Sequence, residues 1–243
     1  MQEFFEGLRE SFIKTFIIED RWSLLLQGLL STLRIALFAT LLGLVLGFII
    51  AIIRSTYDTT LKGKKSRKFS DYILKILNAV ANIYITVIRG TPVVVQLLIM
   101  YFIVFASSRN KEFVAVLSFG INSGAYVAEI VRSGIMSIDK GQFEASRSLG
   151  FNYKDTMIHI IIPQAFKNVL PALGNEFIVL LKETSVAGYV AVQDLTAMGA
   201  KIRNSTYEAF FPLITVAVIY LVIVMIMSFF LRKLERWLRK SDH

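Results

Sequence analysis

The sequence predicts an all-α membrane protein with five transmembrane helices, and three observations support this. Hydrophobic residues make up 55% of the 243 residues, and there are only four prolines. The apolar residues form long blocks, several of them close to the roughly 20 residues that a helix needs to cross a bilayer. Charged residues are only 19% of the chain and are concentrated between these blocks.

Residues 1–21 are predicted to form an N-terminal extracytoplasmic or interfacial segment. A helix over 2–21 would place Phe4, Phe5, Leu8 and Phe12 loosely on one face, as in a helix that lies on a membrane surface. The segment lacks a basic region followed by a short apolar stretch, so it is not expected to be a cleaved signal peptide.

Residues 22–238 are predicted to form the five-helix transmembrane domain. The first span is expected over 24–53, where Gly43 and Gly47 have a spacing that permits close helix contact. Residues 76–105 are interrupted at 89–92, which predicts an interfacial approach helix, a break and a second span over about 92–105. The remaining spans are expected over the following apolar blocks: 113–135, 160–181 and 210–231.

The net charge of +9 comes from lysines and arginines in the connections between spans. Seven lie in 54–75, four in 132–159 and five in 232–240, after the last span, which with five spans places 16 of the 27 on one side. The positive-inside rule makes that side cytoplasmic. We therefore expect an outside N-terminus, a cytoplasmic loop over 136–159 and a cytoplasmic tail at 239–243, and no nucleic-acid partner.

Several classes of site are not expected on this chain. It has no cysteine, which excludes disulfides and thiolate chemistry. His159 and His243 have no partners at metal-ligand spacing, so no metal or other cofactor is predicted. Residues 63–66 resemble the end of a phosphate-binding loop, but Asp58 occupies the position of its first glycine and no strand precedes it.

The cytoplasmic loop contains strong signals for a short helix between two sharp turns. Asp139 is placed to cap a helix start, with Gln142 at the third helical position as in a capping box. Gly150 suits the left-handed position after a helix end, and Asn152 is placed to cap a second helix that leads into the fourth span. Such a rigid segment is suited to transmitting force from a moving partner to membrane helices.

The same loop carries a family resemblance. Membrane subunits of ABC importers have Glu-Ala-Ala, three residues, Gly, nine residues and Ile-x-Leu-Pro. This chain has 144–146 as Glu-Ala-Ser, then Gly150, then 160–163 as Ile-Ile-Ile-Pro, with the spacing intact. Residues 89–97, 124–135 and 175–185 resemble the polar amino-acid permeases within that family, the type I histidine/glutamine/arginine permease-like group. The resemblance covers roughly 24–238.

The resemblance implies a type I ABC importer permease fold with a cytoplasmic coupling helix, in a prokaryotic inner membrane. It implies an ATP-driven importer subunit that moves a polar amino acid into the cytoplasm. Its partners would be a second permease protomer, identical or a sister chain, an extracytoplasmic amino-acid-binding protein, and ATP-binding subunits that hold ATP and Mg. The ATPase-coupling residues would be Gly141, Glu144, Ala145, Ser146, Arg147 and Gly150.

The predicted substrate-binding residues are Glu176, Asn175, Thr91 and Gly90. Glu176 lies midway along the predicted fourth span, where a charge costs about 2.5–3.5 kcal/mol, so its carboxylate should face the protein interior or a wet cavity. It could bind an amino-acid ammonium or a cationic side chain, or pair with a cation of the protein. The break at 89–92 could line a cavity or be a structural kink.

Glu129 and Arg132 are three residues apart, so we expect an ion pair between them.

The alternative function is an ion-gradient-driven secondary transporter. Such transporters often contain internal repeats and paired broken helices, and no motif of this chain occurs twice. No nucleophile–base or metal constellation indicates an enzyme.

Overall fold

A computed structural model describes residues 2–63 and 68–239, with the side chains of 2–4 and 239 not described. The described residues contain helices and turns without strands. The phosphate-loop-like residues 64–66, four of the counted cations (Lys64, Lys65, Arg67 and Lys240) and residues 240–243 of the tail lie outside them. The helices are α1 Gln2–Phe12, α2 Trp22–Thr60, α3 Phe69–Gly90, α4 Val93–Ile99, α5 Lys111–Met136, α6 Lys140–Ser148, α7 Tyr153–Thr156, α8 Ile162–Glu183, α9 Leu195–Thr206 and α10 Phe210–Arg239.

Four of the described helices are long and apolar enough to cross a membrane: α2, α3, α5 and α10. Three of them contain the spans predicted over 24–53, 113–135 and 210–231. The prediction of the second span was wrong in position. The helix Val93–Val104 is short, whereas Phe69–Gly90, which was expected to be only an approach helix, has 22 residues and spanning hydropathy.

The fourth predicted span corresponds to α8, but α8 is not among the four candidate spans. It is a helix of 22 residues with Pro171 inside it. It also contains Lys167, Asn175 and Glu176, which lower its hydropathy. Length and hydropathy therefore establish four candidate spans and do not confirm the fifth.

The chain divides into two compact units, and the first comprises the described residues of Met1–Ala39, Val93–Phe119 and Ile178–Phe229. One apolar cluster of this unit is built on Ile35, Leu97, Phe119 and Leu180. A second cluster joins residues of α2, α9 and α10 with Phe16, which precedes α2. The predicted helix over 2–21 is not a uniform α-helix, because α1 ends at Phe12 and is followed by a π-helical turn at Ile13–Ile17 and a 3-10 turn at Ile18–Asp20.

The second unit comprises the described residues of Thr40–Pro92, Gly120–Phe177 and Phe230–His243. Its α2 and α5 segments pack closely through small residues. A Cβ on Gly47 would lie 2.4 Å from Cγ1 of Val127, and one on Gly43 would lie 3.0 Å from Cβ of Ser123. The close helix contact predicted from the glycine spacing is confirmed. A larger cluster includes Ala51, Val127, Val131, Ile135, Ile161, Ala165 and Val169.

Candidate coupling loop and substrate-facing site

The helix of the loop that was predicted to be cytoplasmic, α6, begins at the predicted cap. The Asp139 carboxylate accepts a hydrogen bond from the backbone N–H of Gly141, with 2.6 Å between Oδ1 and N. The Asp139 carbonyl accepts a bond from the N–H of Gln142 at 3.0 Å. The Gln142 side chain is directed to Gln164 instead of back to Asp139, at 3.4 Å. The cap is confirmed, and the donor that it satisfies is the second helical residue rather than the third.

The end of α6 has the predicted left-handed glycine. Gly150 has a φ of +88°. Its N–H donates to the carbonyl of Arg147 at 3.0 Å, and the N–H of Phe151 donates to the carbonyl of Ser146 at 3.1 Å. These two bonds form a Schellman motif, which satisfies carbonyls that the helix end would leave unpaired. The turn therefore depends on a backbone conformation that glycine adopts at little cost.

The second helix of the loop begins at Asn152, as predicted. Its Oδ1 accepts from the N–H of Asp155 at 3.0 Å, and its amide donates to the Asp155 carboxylate at 2.6 Å. This helix leads into α8, as predicted, with helical backbone at both junctions. Residues Met157–Ile161 form a π-helical turn between α7 and α8.

The side chains of α6 divide into an exposed face and a packed face. Gly141, Glu144, Ala145 and Arg147 are exposed. Ser146, which was expected among the coupling residues of the docking surface, is only 1% exposed. Its hydroxyl lies 2.9 Å from the carbonyl of its helix neighbour Phe143 and 3.1 Å from Oγ1 of Thr156. Ser146 therefore attaches α6 to α7 and does not face outward.

Sequence reasoning missed one exposed group and the internal contacts of this loop. Leu149, at the end of α6, is 78% exposed. Phe143 packs at the edge of the cluster that contains Val131 and Ile161. Phe143 and Ser146 are three residues apart, so they share one face of the helix. That spacing was the signal that Ser146 turns inward with Phe143.

Glu176 faces inward, as predicted. Its side chain is 9% exposed, and Oε1 accepts a hydrogen bond from the Ser123 hydroxyl of α5 at 3.0 Å. Asn175 is exposed. Adjacent residues of an α-helix are separated by about 100° around its axis, so the two side chains point in different directions. Of these two predicted substrate-binding residues, Glu176 therefore points inward and Asn175 points outward.

Gly90 and Thr91 lie where α3 ends, which confirms the predicted break. Both are exposed, and Oγ1 of Thr91 donates to the Val87 carbonyl of its own helix at 2.8 Å. The preceding Arg89 places its guanidinium carbon 5.3 Å from the ring centroid of Tyr126. Such a separation permits a cation–π contact.

Helix α5 therefore contacts both predicted substrate-binding segments. Ser123 bonds Glu176 of α8, and Tyr126 contacts Arg89, which immediately precedes Gly90. Ser123 and Tyr126 are one helical turn apart on α5. The Glu176 carboxylate and the Arg89 guanidinium thus contact side chains that are one turn apart on α5.

Outside the candidate spans, one buried carboxylate has a marked electrostatic perturbation. Asp194 is fully buried and caps α9 by accepting bonds from the N–H groups of Thr196 and Ala197. Burial raises its pKa from 3.8 to about 6, although these two hydrogen bonds favour the charged form. Among the residues described, there is no cluster of three His, Cys, Asp or Glu side chains that could hold a metal ion.

Comparison with known proteins identifies relatives of the whole chain. Residues 70–240 match the family described as "Binding-protein-dependent transport system inner membrane component". The chain is 38% identical to the glutamine transport system permease protein GlnP of Escherichia coli, over 88% of this chain and 92% of that protein. It is 36% identical to the arginine transport system permease protein ArtQ of Bacillus subtilis, over 90% and 94% of the two chains.

A solved structure has a similar fold. A chain from the crystal structure of an amino acid ABC transporter with histidines superposes with a TM-score of 0.79 at 39% sequence identity. The match covers 91% of this chain and 97% of that one.

Proposed function

Because this chain belongs to the family of binding-protein-dependent transport system inner membrane components, we propose that it is the permease subunit of an ABC importer for polar amino acids. Relatives that match it over nearly their whole length are named permeases for glutamine and arginine. The observation that carries the mechanism is α6: a helix fixed by Asp139 at its start and by Gly150 at its end. The chain forms the translocation path, and ATP is hydrolysed on a separate subunit.

The exposed face of α6 is the proposed docking surface for the ATP-binding subunit. Glu144 and Arg147 offer polar contacts there, Ala145 permits close approach, and Leu149 adds an apolar contact. A rigid helix passes on a displacement that a flexible loop would absorb. The other proposed partners are a second permease protomer, identical or a sister chain, and an extracytoplasmic amino-acid-binding protein.

The proposed topology has five spans, with α8 as the fourth beside α2, α3, α5 and α10. The N-terminus is then outside, and the connections at 61–68 and 137–161 and the C-terminal tail are cytoplasmic. In this arrangement the second span is α3 rather than 92–105, and the excess of lysines and arginines remains on the cytoplasmic side. It also places α6 on the side where an ATP-binding subunit would meet it.

Glu176 is the proposed contact for the substrate ammonium group or a cationic side chain. Its burial and the hydrogen bond from Ser123 hold the carboxylate in a fixed position. A carboxylate in a site of low dielectric interacts more strongly with a cation than one in water. Asn175, Thr91 and Gly90 remain proposed substrate contacts on the exposed sides of α8 and of the break after α3.

The test is transport by the complete system in proteoliposomes. The permease is reconstituted with the ATP-binding subunit encoded beside it and with the binding protein, and uptake of arginine and glutamine is measured. We expect uptake that requires internal ATP and does not respond to a sodium or proton gradient. Uptake driven by such a gradient without ATP would show a secondary transporter instead.

A further inference from the structure

The proposed cytoplasmic end of α2 carries a partly buried charge network, of which the sequence predicted only the Glu129–Arg132 ion pair, now confirmed. Asp58 lies in the last turn of α2, and its side chain is 9% exposed. Its Oδ2 accepts a hydrogen bond from Nη1 of Arg132 on α5 at 3.1 Å. The same guanidinium bonds Glu129 through Nε at 3.2 Å and Nη2 at 2.5 Å. One arginine thus joins the carboxylates of two helices.

The charges of this network are nearly balanced. Arg132 lies between two carboxylates, and Nζ of Lys62 is 3.7 Å from Oδ1 of Asp58. Partly buried ions need such close partners because their removal from water is costly. Arg132 is four residues before the end of α5, where the chain turns towards α6. The network therefore holds α2 to the segment that enters the coupling loop.

The next residue of α2 contacts the segment that leaves the coupling loop. Oγ1 of Thr59 is 2.9 Å from the hydroxyl of Tyr153, the first residue of α7. The Thr59 hydroxyl also lies 2.8 Å from the Ser55 carbonyl, to which it donates. The Tyr153 hydroxyl is therefore the donor of the bond to Thr59.

The coupling helix is itself fastened to these two segments. Ser146 bonds Thr156, three residues after Tyr153. Phe143 packs beside the cluster that contains Val131, the neighbour of Arg132. Residues before, within and after the coupling loop are thus connected to one another. The last turn of α2 contacts the loop at both of its ends, through Asp58 and Thr59.

We infer that Asp58 and Thr59 are positioning residues for coupling, and that they transmit displacement of α6 to the span α2. This inference rests on the proposed function, in which α6 receives the motion of an ATPase. An arginine held by carboxylates on two helices allows little sliding between them, because hydrogen bonds to charged groups are strong and directional. Movement of the loop would then carry α2 with it.

The test compares uptake per ATP hydrolysed in the reconstituted transporter. Asp58→Asn removes the inter-helix charge and leaves the Arg132–Glu129 pair intact, so it creates no unpaired buried cation. Tyr153→Phe removes only the second contact. We expect each variant to insert and to copurify with the ATP-binding subunit, but to transport roughly five-fold less per ATP. Asp58→Glu, which keeps the charge, should restore part of the loss.

The matched control is Glu19→Gln, which neutralises an exposed carboxylate whose partner Arg21 also donates to the Lys14 carbonyl. It should leave uptake per ATP unchanged. If the Asp58→Asn variant does not assemble with the ATP-binding subunit, the uptake per ATP of the Tyr153→Phe variant alone tests the inference. Parental uptake per ATP in Tyr153→Phe, or in an assembled Asp58→Asn variant, would overturn the inference while the importer function stands. Absence of ATP-dependent uptake in the parent would instead refute the proposed function.

Discussion

The hydroxyl of Ser146 donates a hydrogen bond to Oγ1 of Thr156 at 3.1 Å, and both side chains are buried. This contact attaches the coupling helix to the helix that follows it in the chain. The family pattern has alanine at the position of Ser146, so the same inward position is compatible with a small side chain. The position of α6, the proposed docking helix, is therefore set by contacts within its own chain.

Ser146→Ala should destabilise the protein modestly. It leaves the Thr156 hydroxyl without this donor, and a lost hydrogen bond costs about 1 kcal/mol. Ser146→Leu should cost more, because the extra atoms do not fit a buried position. The measurement is thermal unfolding in detergent, with Ser148→Ala as the control, since Ser148 is exposed and bonds only the Glu144 carbonyl in the contacts described. Equal unfolding temperatures for the three variants would contradict the buried contact.

Gly150→Val should uncouple ATP hydrolysis from transport while membrane insertion persists. A β-branched residue at a φ of +88° is strained by about 1–3 kcal/mol, so the Schellman turn would open and α6 would lose its fixed end. The control is Gly7→Ala, at a helical position where an added Cβ meets nothing within 4 Å. Uptake and ATPase activity are measured in proteoliposomes. Parental uptake per ATP in Gly150→Val would show that this turn is not required.

Glu176→Gln should reduce transport of arginine more than that of glutamine. The amide keeps the shape and can still accept from Ser123, but it loses the charge that attracts a cation. We expect a loss of roughly ten-fold or more for arginine, in line with 1.5–3 kcal/mol for a charge-assisted hydrogen bond. The Ser123→Ala variant removes the hydroxyl that donates to Glu176, and it tests whether that hydroxyl acts only by positioning the Glu176 carboxylate. Equal arginine-to-glutamine ratios in parent and Glu176→Gln would exclude Glu176 from substrate selection.

The stability of the protein should depend on pH through Asp194. Its pKa is about 6 when folded and 3.8 in its ordinary state, so between these values the folded protein binds more protons than the unfolded chain. Stability then falls as the pH rises from about 4 to 6, by on the order of 3 kcal/mol, and levels off above. The Asp194→Asn variant has no carboxyl group at this position, so its stability should not show this pH dependence. Unfolding is compared at pH 4 to 7, and identical pH slopes for the two proteins would contradict the raised pKa.

Local signals of the coupling loop were sufficient to predict its turns. Asp139, Gly150 and Asn152 act through backbone groups within three residues, and such interactions can be read along the chain. The spacing of Phe143 and Ser146 puts both residues on one face of α6, but which face turns inward cannot be read from the local sequence alone. It depends on where the apolar core lies beside α6, which is set by distant helices.

Long-range contacts were not predictable for the same reason. Asp58 and Arg132 are 74 residues apart, and nothing at Asp58 indicates its partner. The second span was misplaced because the interruption at 89–92 was interpreted as the boundary between an interfacial helix and the span that follows it. In the structure the residues before this interruption belong to a continuous helix of 22 residues, and the break at 89–92 is its end.

Chemical crosslinking from the exposed face of α6 tests most directly whether this helix docks on the ATP-binding subunit. The chain has no cysteine, so Ala145→Cys gives one benzophenone-labelling site per permease chain, which is labelled before assembly with the partner subunits. We predict that illumination joins this position to the ATP-binding subunit. The same label at Tyr207→Cys, where the native side chain is 94% exposed on the opposite side of the proposed topology, should not react with that subunit. Labelling of the ATP-binding subunit from position 207 but not from position 145 would contradict the account.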